Sequence, residues 1–445
     1  MNFPEAFSQQ IKTRLGDEYQ AFIDSLQTES PTSIRLNPFK KSSTPTGEAI
    51  PWHSEGFYLS ERPIFTLDPA FHAGAYYVQE ASSMFVAEAV KQTVNLSKPL
   101  KVLDLCAAPG GKTTLLASLL NKNSLLVANE VIKSRVGILK ENLEKWGFSN
   151  YIVANHDPEE MVELEGFFDV VLVDAPCSGE GLFRKDPKAV NEWSENNVNI
   201  CSARQKRILQ AASMLVAPKG ILVYSTCTYN DKENQQNTSW LTQVADFEEV
   251  KLDIPSDWNI DNSRSGYQFF PHRVKGEGFF LSVFKKKFGD DNYIQAKVKL
   301  NRLRNREVAL LEPFIENIEE FDFFLKPDSS IVAIPNELLA EYGTVMRALD
   351  RRSSGIEIGS IKGNDFIPTH ALALSSIIKK DIPAIELSKE DALKFLKREN
   401  FEADLAQSGW FLVRYEGLNL GWIKVIGNRI NNYLPKEWRI RMDIE

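Results

Sequence analysis

Two cysteines stand where a thiol can do chemistry. Cys177 lies in Asp174-Ala175-Pro176-Cys177-Ser178-Gly179-Glu180-Gly181, directly after an apolar run over 170–173. Cys227 lies in Ser225-Thr226-Cys227-Thr228-Tyr229, directly after another over 221–224. A lone cysteine is most often a small buried hydrophobe, and that reading suits Cys106 and Cys201. For Cys177 and Cys227 a specific reaction competes with it. Carbon C5 of cytosine is too weak a nucleophile to attack a methyl sulfonium unaided, but a thiolate added to C6 turns the ring into an enamine with electron density on C5. An acid such as Asp174 can stabilise that adduct at N3, and a second thiol can assist its breakdown once C5 has lost its proton. A free thiol ionises near about pH 8.5, so the nucleophile needs local activation, and no residue type in the sequence identifies the activator. No histidine is close in sequence to either cysteine, which disfavours a Cys–His hydrolase. The lack of a Cys-x-x-Cys pair weighs against a redox couple and against a metal site. An adenine amino-methyltransferase also carries an acid and a proline at this strand end, but has no use for two thiols.

A cofactor site is legible upstream. A run over 102–105 leads into Cys106-Ala107-Ala108-Pro109-Gly110-Gly111-Lys112-Thr113 and then a helical pattern. Small residues and glycines at a helix N-terminus let backbone N–H groups approach a ligand closely. A phosphate-binding P-loop needs Gly, four residues, then Gly-Lys-Ser/Thr. Counting back from Gly111-Lys112-Thr113 puts Cys106 where the first glycine belongs, so that reading fails. About 20 residues past Gly110, at the end of the next apolar run, Glu130 is placed to accept hydrogen bonds from both hydroxyls of a ribose. Asp157 follows the third run and Asp174 the fourth. Any one such acid is easily a helix cap. Three of them ending successive strands over one crevice suit a nucleoside-bearing cofactor without a pyrophosphate.

The elements that must position these residues follow from the apolar pattern. Strands are expected over 102–105, 125–129, 151–154, 170–173 and 221–224, with helices over 113–120 and 134–146. The runs are continuous rather than alternating, as in strands covered on both faces, and their alternation with helices predicts a doubly wound parallel sheet. Ligands of such sheets sit at the carboxyl ends of the strands. Before this region the pattern predicts a helix over 3–27, a strand over 33–38, a loop over 41–51 and a helix over 80–94. After about residue 288 it predicts a separate α+β module, with helices over 335–349 and 388–399 and strands over 410–415 and 421–425.

Composition bounds the rest. The chain has 445 residues, with 43% hydrophobic and 25% charged, ordinary for a globular protein; its length predicts about three domains. Lys plus Arg total 52 against 60 Asp plus Glu, a formal charge of −8 that excludes a uniformly basic nucleic-acid binder but permits a basic groove. With 4 cysteines no disulfide scaffold is expected. No signal peptide and no membrane span are expected, which places the protein in the cytoplasm.

Together these segments resemble the RNA cytosine-C5 methyltransferases of the Sun/Nop type, most closely the bacterial RsmF-like small-subunit rRNA methyltransferases. The resemblance covers most of 30–287. It rests on Ser33-Ile34-Arg35-Leu36-Asn37-Pro38, Tyr77-Val78-Gln79-Glu80, Cys106 to Thr113, Asp174 to Gly181 with Phe183-Arg184-Lys185-Asp186-Pro187, Arg204-Gln205, Ser225 to Thr228 and Gly278-Phe279-Phe280. It implies an α/β, Rossmann-like methyltransferase core over 86–288, an N-terminal α+β extension over 1–85, and a C-terminal region over 289–445 that includes an α+β PUA-like RNA-binding module. The last of these resembles the family in Gly421-Trp422-Ile423-Lys424, Asn431-Asn432-Tyr433 and Trp438-Arg439. The resemblance further implies that Cys106, Ala107, Ala108, Pro109, Gly110, Gly111 and Lys112 bind S-adenosylmethionine with Glu130, Asp157 and Asp174. Cys227 looks like the nucleophile and Cys177 like the cysteine that releases product. In DNA cytosine-C5 methyltransferases the Pro-Cys cysteine attacks instead, so the residues alone leave the assignment open and the resemblance decides it.

The implied substrate is RNA, 16S rRNA or the 30S particle; tRNA, or a non-catalytic role in ribosome assembly, is the alternative. DNA is not an expected substrate, and a monomer is the default. Two basic clusters suit RNA. One comprises Arg273, Lys275, Lys285, Lys286, Lys287, Lys297, Lys299, Arg302, Arg304 and Arg306, opposed by Glu277, Asp290 and Asp291. The other comprises Lys424, Arg429, Lys436, Arg439 and Arg441, interleaved with Trp422, Tyr433 and Trp438. Cations with aromatics serve phosphate contacts and base stacking, although for any single residue a solvated charged face is the commoner explanation. The target base must be unstacked to reach the crevice.

Overall fold

The computed structural model describes residues 3–40, 46–289, 292–295, 300–401 and 407–442. Part of the expected loop (41–45), together with Asp290, Asp291, Lys297 and Lys299, lies outside the described residues.

The N-terminal helical pattern is two helices, not one. Glu5–Leu15 stops at Gly16, whose φ of +55° breaks the spiral, and Tyr19–Ser25 follows. Phe7, Ile11 and Phe22 are buried, as the helical spacing requires. They pack on Phe183 and Tyr229, each a few residues beyond one of the two cysteines. The ring centroids of Phe7 and Phe183 are 4.9 Å apart, and those of Phe22 and Tyr229 5.0 Å. The first two helices therefore brace the loops that carry the thiols. An antiparallel sheet follows, made of β1 (Ser33–Leu36), β2 (Gly47–Ile50), β3 (His53–Leu59) and β4 (Tyr76–Val78), in the order β2-β3-β1-β4. Residues 47–50, expected in a loop, pair with β3 as an edge strand despite their Gly and Glu.

The central sheet is doubly wound, as expected. β5 (Lys101–Asp104), β6 (Leu125–Asn129), β7 (Tyr151–Ala154), β8 (Phe168–Asp174) and β9 (Val216–Thr226) are parallel. β10 (Phe247–Glu249), β11 (Tyr267–Phe269) and β12 (Phe279–Lys286) extend it antiparallel beyond β9. The order β9-β8-β5-β6-β7 reverses direction between β8 and β5, which makes the carboxyl ends of those two strands the switch point. Alternate strand residues face opposite sides. Val102, Leu126 and Val170 pack with Leu116, Leu139 and Trp146 of the helices Gly111–Leu119 and Lys133–Trp146. Leu103, Val127 and Val171 pack with Ile208, Leu209 and Leu215 of the helix Glu195–Leu215.

The C-terminal region forms two four-stranded sheets. The first is β13 (Phe321–Leu325), β14 (Ile331–Pro335), β16 (Ile356–Lys362) and β17 (Asp365–Pro368). The second is β18 (Ala384–Glu386), β19 (Gly409–Tyr415), β20 (Leu418–Ile426) and β21 (Arg429–Asn432). The intervening β15 (Arg352–Ser354) leaves this region and pairs antiparallel with β7, at Arg352↔Ala154. Val332, Ile334, Tyr342 and Leu349 pack on one face of the central sheet. The C-terminal region is thus joined to the core by an edge strand and by a shared hydrophobic cluster. Among the described residues no helix is long and apolar enough to cross a membrane.

Candidate active site

The switch point brings Asp174, Cys177 and Cys227 together. Parallel pairing of β8 with β9 sets Asp174 opposite Ser225, so the segments that follow, with Cys177 and Cys227, leave the sheet side by side. The two Sγ atoms are 2.9 Å apart, and the Cys227 N–H donates to Cys177 Sγ at 3.3 Å. This approach needs glycine. The Gly181 N–H donates to the Cys227 carbonyl at 2.8 Å, and a Cβ on Gly181 would lie 2.8 Å from that oxygen and 2.4 Å from the Gly278 carbonyl. The hydrogen bond from Cys227 and then burial push the Cys177 thiol well above its ordinary value. Cys106 is also pushed up, by burial and then by Asp104, Asp174 and Glu130, which suits an inert thiol. Cys201 is buried in its helix, 4% exposed.

Lys112 meets this pair from the cofactor loop. Its ammonium donates to Asp174 Oδ2 at 2.8 Å, while Ser225 Oγ donates to Oδ1 at 2.8 Å. Burial disfavours the Lys112 charge, yet Asp174, Cys227 and Asp104 outweigh it and raise its pKa. Lys112 thus sits in the electrostatic reach of both Asp174 and Cys227. Sequence reasoning placed it only in the cofactor loop. The loop order Cys-Ala-Ala-Pro-Gly-Gly-Lys hides the fact that the first helical turn points this side chain across to β8.

The cofactor loop is tied on both sides. Gly110, at φ +114°, caps the helix Gly111–Leu119, which starts two residues earlier than its apolar pattern indicates. The Ala107 N–H donates to the Asn129 carbonyl at 2.8 Å, and the Ala108 N–H to Glu130 Oε2 at 3.3 Å. Glu130 ends β6, is 3% exposed, and accepts the Ile132 N–H at 2.8 Å on its other oxygen. Asp104 ends β5 and is buried, with Oδ2 accepting from Thr113 Oγ1 at 2.7 Å and Oδ1 without a partner. Burial pushes its carboxyl up to about 7. An orphaned buried acceptor at the end of β5 and a buried carboxylate at the end of β6, both beside the loop 106–112, fit a nucleoside with a charged amino-acid tail. Asp157 is placed differently from Glu130. It caps the turn Pro158–Leu164 in a capping box and accepts two hydrogen bonds from Arg207, at 2.9 and 3.1 Å. Burial raises its pKa, but Arg207 and the Glu159 N–H win and lower it. No contact joins Asp157 to Glu130 or Asp174 among the described residues.

Several site residues carry no sequence signature of chemistry. Glu233 is buried. Its Oε2 accepts the Ser178 N–H at 2.9 Å and Gln205 Nε2 at 2.8 Å, and Gln205 Nε2 also donates to the Pro176 carbonyl at 3.0 Å. This clamp holds the Cys177 loop, and burial pushes the Glu233 carboxyl up to about 7. Arg184 and Glu277 form a buried pair at 3.1 Å, with side chains 5% and 3% exposed, linking the loop after Cys177 to the approach to β12. Arg35 of β1 is fully buried. It donates to Gln79 Oε1 at 2.8 Å and Thr114 Oγ1 at 2.7 Å, and so bolts the N-terminal sheet to the helix behind the cofactor loop.

The basic clusters are corrected in part. Arg273 pairs with Glu18 at 2.6 Å, Lys275 with Glu48 at 2.6 Å and Arg302 with Asp322 at 2.8 Å, so each cation meets an acid distant in sequence. Trp422 is 0% exposed and belongs to the core, where it cannot stack on a base. Tyr433 is 37% exposed and packs on Trp410 at 4.5 Å, with Lys424 over Trp410 at 5.2 Å.

Residues 91–285 match the family described as 16S rRNA methyltransferase RsmB/F, residues 3–81 the N-terminal domain of 16S rRNA methyltransferase RsmF, and residues 382–440 the methyltransferase RsmF PUA domain. The chain is 31% identical over 461 residues to the ribosomal RNA small subunit methyltransferase F of Vibrio vulnificus, covering 98% of this chain and 97% of that protein. It is 32% identical over 442 residues to the protein of the same name from Aeromonas salmonicida, covering 94% and 92%. A methyltransferase homolog protein from Pyrococcus horikoshii superposes with a TM-score of 0.55 at 27% identity, over 64% of this chain and 96% of that one. With family matches in all three regions and this identity over nearly the whole length, the chain belongs to the RsmF family of S-adenosylmethionine-dependent 16S rRNA methyltransferases.

Proposed function

We propose that this protein methylates C5 of a cytosine in small-subunit rRNA through a covalent bond between Cys227 and C6. The observation that carries the reading is the 2.9 Å approach of Cys177 and Cys227 beside the Lys112–Asp174 pair. Addition to C6 needs a thiolate, and the Lys112 ammonium supplies a positive charge next to Cys227. The thiol proton passes through the Lys112–Asp174 pair, and Asp174 offers it to N3 as the C6–S bond forms. Electron density then rests on C5. S-adenosylmethionine would be held by the loop 106–112 with Glu130, Asp157, Asp174 and the orphaned Asp104, and would supply the electrophilic methyl group. After transfer the C5 hydrogen leaves as a proton to water, and N3 returns its proton to the Asp174 carboxylate. The C5–H electron pair re-forms the double bond and expels the Cys227 sulfur. Cys177, held as a thiol, stands 2.9 Å from that sulfur to hand it a proton.

The N-terminal extension over 1–85, the core over 86–288 and the region over 289–445 act together in this reading, because a target base must be presented while the crevice is closed around it. The test is direct. The protein is incubated with methyl-labelled S-adenosylmethionine and 16S rRNA or 30S particles, and the RNA is digested to nucleosides. Label in 5-methylcytidine is expected; label in another nucleoside overturns the reading.

A further inference from the structure

Where the N-terminal sheet meets the helix Lys133–Trp146, the surface carries a cleft of about 480 Å³ that the chemistry above does not use. That is the size class of a small-ligand site. Three half-buried rings line it, Phe65, Phe71 and Tyr76, with centroid separations of 5.9–6.3 Å. Two cations flank the rings. Arg62 lies 5.4 Å from the centre of Phe65, and Lys145 Nζ lies 5.6 Å from that of Phe71. Arg62 is exposed and pairs with no acid among the described residues. Glu141 offsets Lys145 at 2.5 Å, and Asp68 is engaged by the Tyr76 hydroxyl at 2.6 Å.

Behind Lys145, burial lowers the Lys40 ammonium to about 7 and the His370 imidazole to about 3, so the imidazole is neutral and the positive charge of the groove rests on Arg62 and Lys145. Lys40 Nζ is held at 2.5 Å by the carbonyls of Ala73 and Lys145, with no carboxylate among these partners. His370 is 7% exposed, leaves Nδ1 without a partner, and stacks edge-on to Trp438 at 4.5 Å, with Lys145 over the same indole at 5.0 Å. A second cleft of about 390 Å³ shares Arg62, Phe65 and Tyr76 and runs on to Tyr415 and Leu418 of the C-terminal sheet. The groove also abuts the cofactor loop. Tyr77, next to Tyr76 on β4, lies 3.4 Å from where a Gly111 Cβ would stand, and Asn142 Nδ2 donates to the Pro109 carbonyl at 2.8 Å.

We infer that this groove is a subsite for an unpaired nucleotide of the substrate RNA: its base stacks among Phe65, Phe71 and Tyr76, and its backbone phosphate meets Arg62 and Lys145. Ring faces flanked by cations are what a single-stranded nucleotide needs, because every base has a stacking face and every linkage a negative charge. Through Tyr77 and Asn142 the held nucleotide would lie beside the cofactor loop. The inference rests on the proposed RNA chemistry for its substrate class, but its test does not depend on turnover.

Affinity is read by fluorescence anisotropy on a labelled single-stranded 16S rRNA fragment, for the wild type, Arg62→Glu and Phe65→Ala. Cofactor affinity is read by calorimetry on the same preparations to confirm folding. The expected result is RNA binding weakened about tenfold or more in each variant, with cofactor affinity unchanged. RNA affinity within about twofold of wild type overturns the inference. So does intact RNA affinity with weakened binding to 30S particles, which would assign the groove to a protein contact. If wild-type protein puts no label into 5-methylcytidine, the proposed reaction fails, while the anisotropy result still decides the groove.

Discussion

Cys177 and Cys227 face each other at 2.9 Å between sulfurs, yet they sit on loops leaving different strands and are not in one motif. What unites them is the register of β8 and β9 and two glycines, Gly181 and Gly278, that let the loops touch. The two thiols are not equivalent: Cys177 is held in the protonated form, while Cys227 lies within the field of Lys112. Cys227→Ala is expected to abolish methyl transfer and leave cofactor affinity within about threefold, because the hydrogen bond of its sulfur runs to Cys177 and not to the loop 106–112. Measurable turnover by purified Cys227→Ala would contradict the assignment of the nucleophile.

In the proposed reaction the Lys112 ammonium is the group that activates Cys227, a role that residue types alone do not reveal. Lys112→Met is expected to lower kcat by about two orders of magnitude or more. It is also expected to slow alkylation of Cys227 by iodoacetamide at neutral pH, since the thiolate is the reactive form. Peptide mapping of the alkylated protein reports that rate separately from catalysis. An unchanged alkylation rate would remove Lys112 from the activation step.

Glu130 is tested through binding alone. Glu130→Ala is expected to weaken S-adenosylmethionine about tenfold or more by calorimetry, because a charged acceptor for two ribose hydroxyls is lost. Asp157, committed to Arg207 and a helix cap, is expected to matter less. Asp157→Ala with the larger effect of the two would reverse their assigned importance.

Glu233 gives a pH signature. Its carboxyl is raised from 4.5 to about 7 by burial, so between those values the folded chain holds a proton that the unfolded chain has released. Stability contributed at this site therefore falls as pH rises from about 4.5 to 7 and is flat outside that window. Glu233→Gln keeps the carbonyl oxygen that the Ser178 N–H and Gln205 need, and removes the titration. Relative to wild type its unfolding free energy, read from denaturant titrations, should rise across that window, by on the order of 3 kcal/mol at most. Parallel pH profiles for the two proteins would show that Glu233 does not titrate there.

Much of the frame was legible because fully covered parallel strands write themselves as unbroken apolar runs. β6 and β7 fall where the runs over 125–129 and 151–154 predict. The acids at strand ends were legible for the same reason. Other parts were not. β15 is Arg-Ser-Ser, and its place beside β7 depends on backbone pairing that no side-chain pattern announces. The helix Glu195–Leu215 buries Ser202 and Gln205 as well as Leu209, so its inner face does not read as apolar. Arg184–Glu277, Arg35–Gln79 and the Glu233 clamp are long-range polar contacts, and sequence spacing carries no information about partners so far apart.

The central claim is the covalent bond, and Cys177→Ser tests it most directly. With the release thiol replaced, Cys227 should still add to C6 but leave it slowly. Cys177→Ser protein expressed in a bacterial cell and isolated under denaturing conditions should then carry covalently attached RNA. Sequencing of that RNA should converge on one cytosine of the small-subunit rRNA, and the protein end of the link should map to Cys227. Denatured Cys177→Ser free of RNA, with RNA attached instead to Cys227→Ser, would contradict the account by exchanging the two roles.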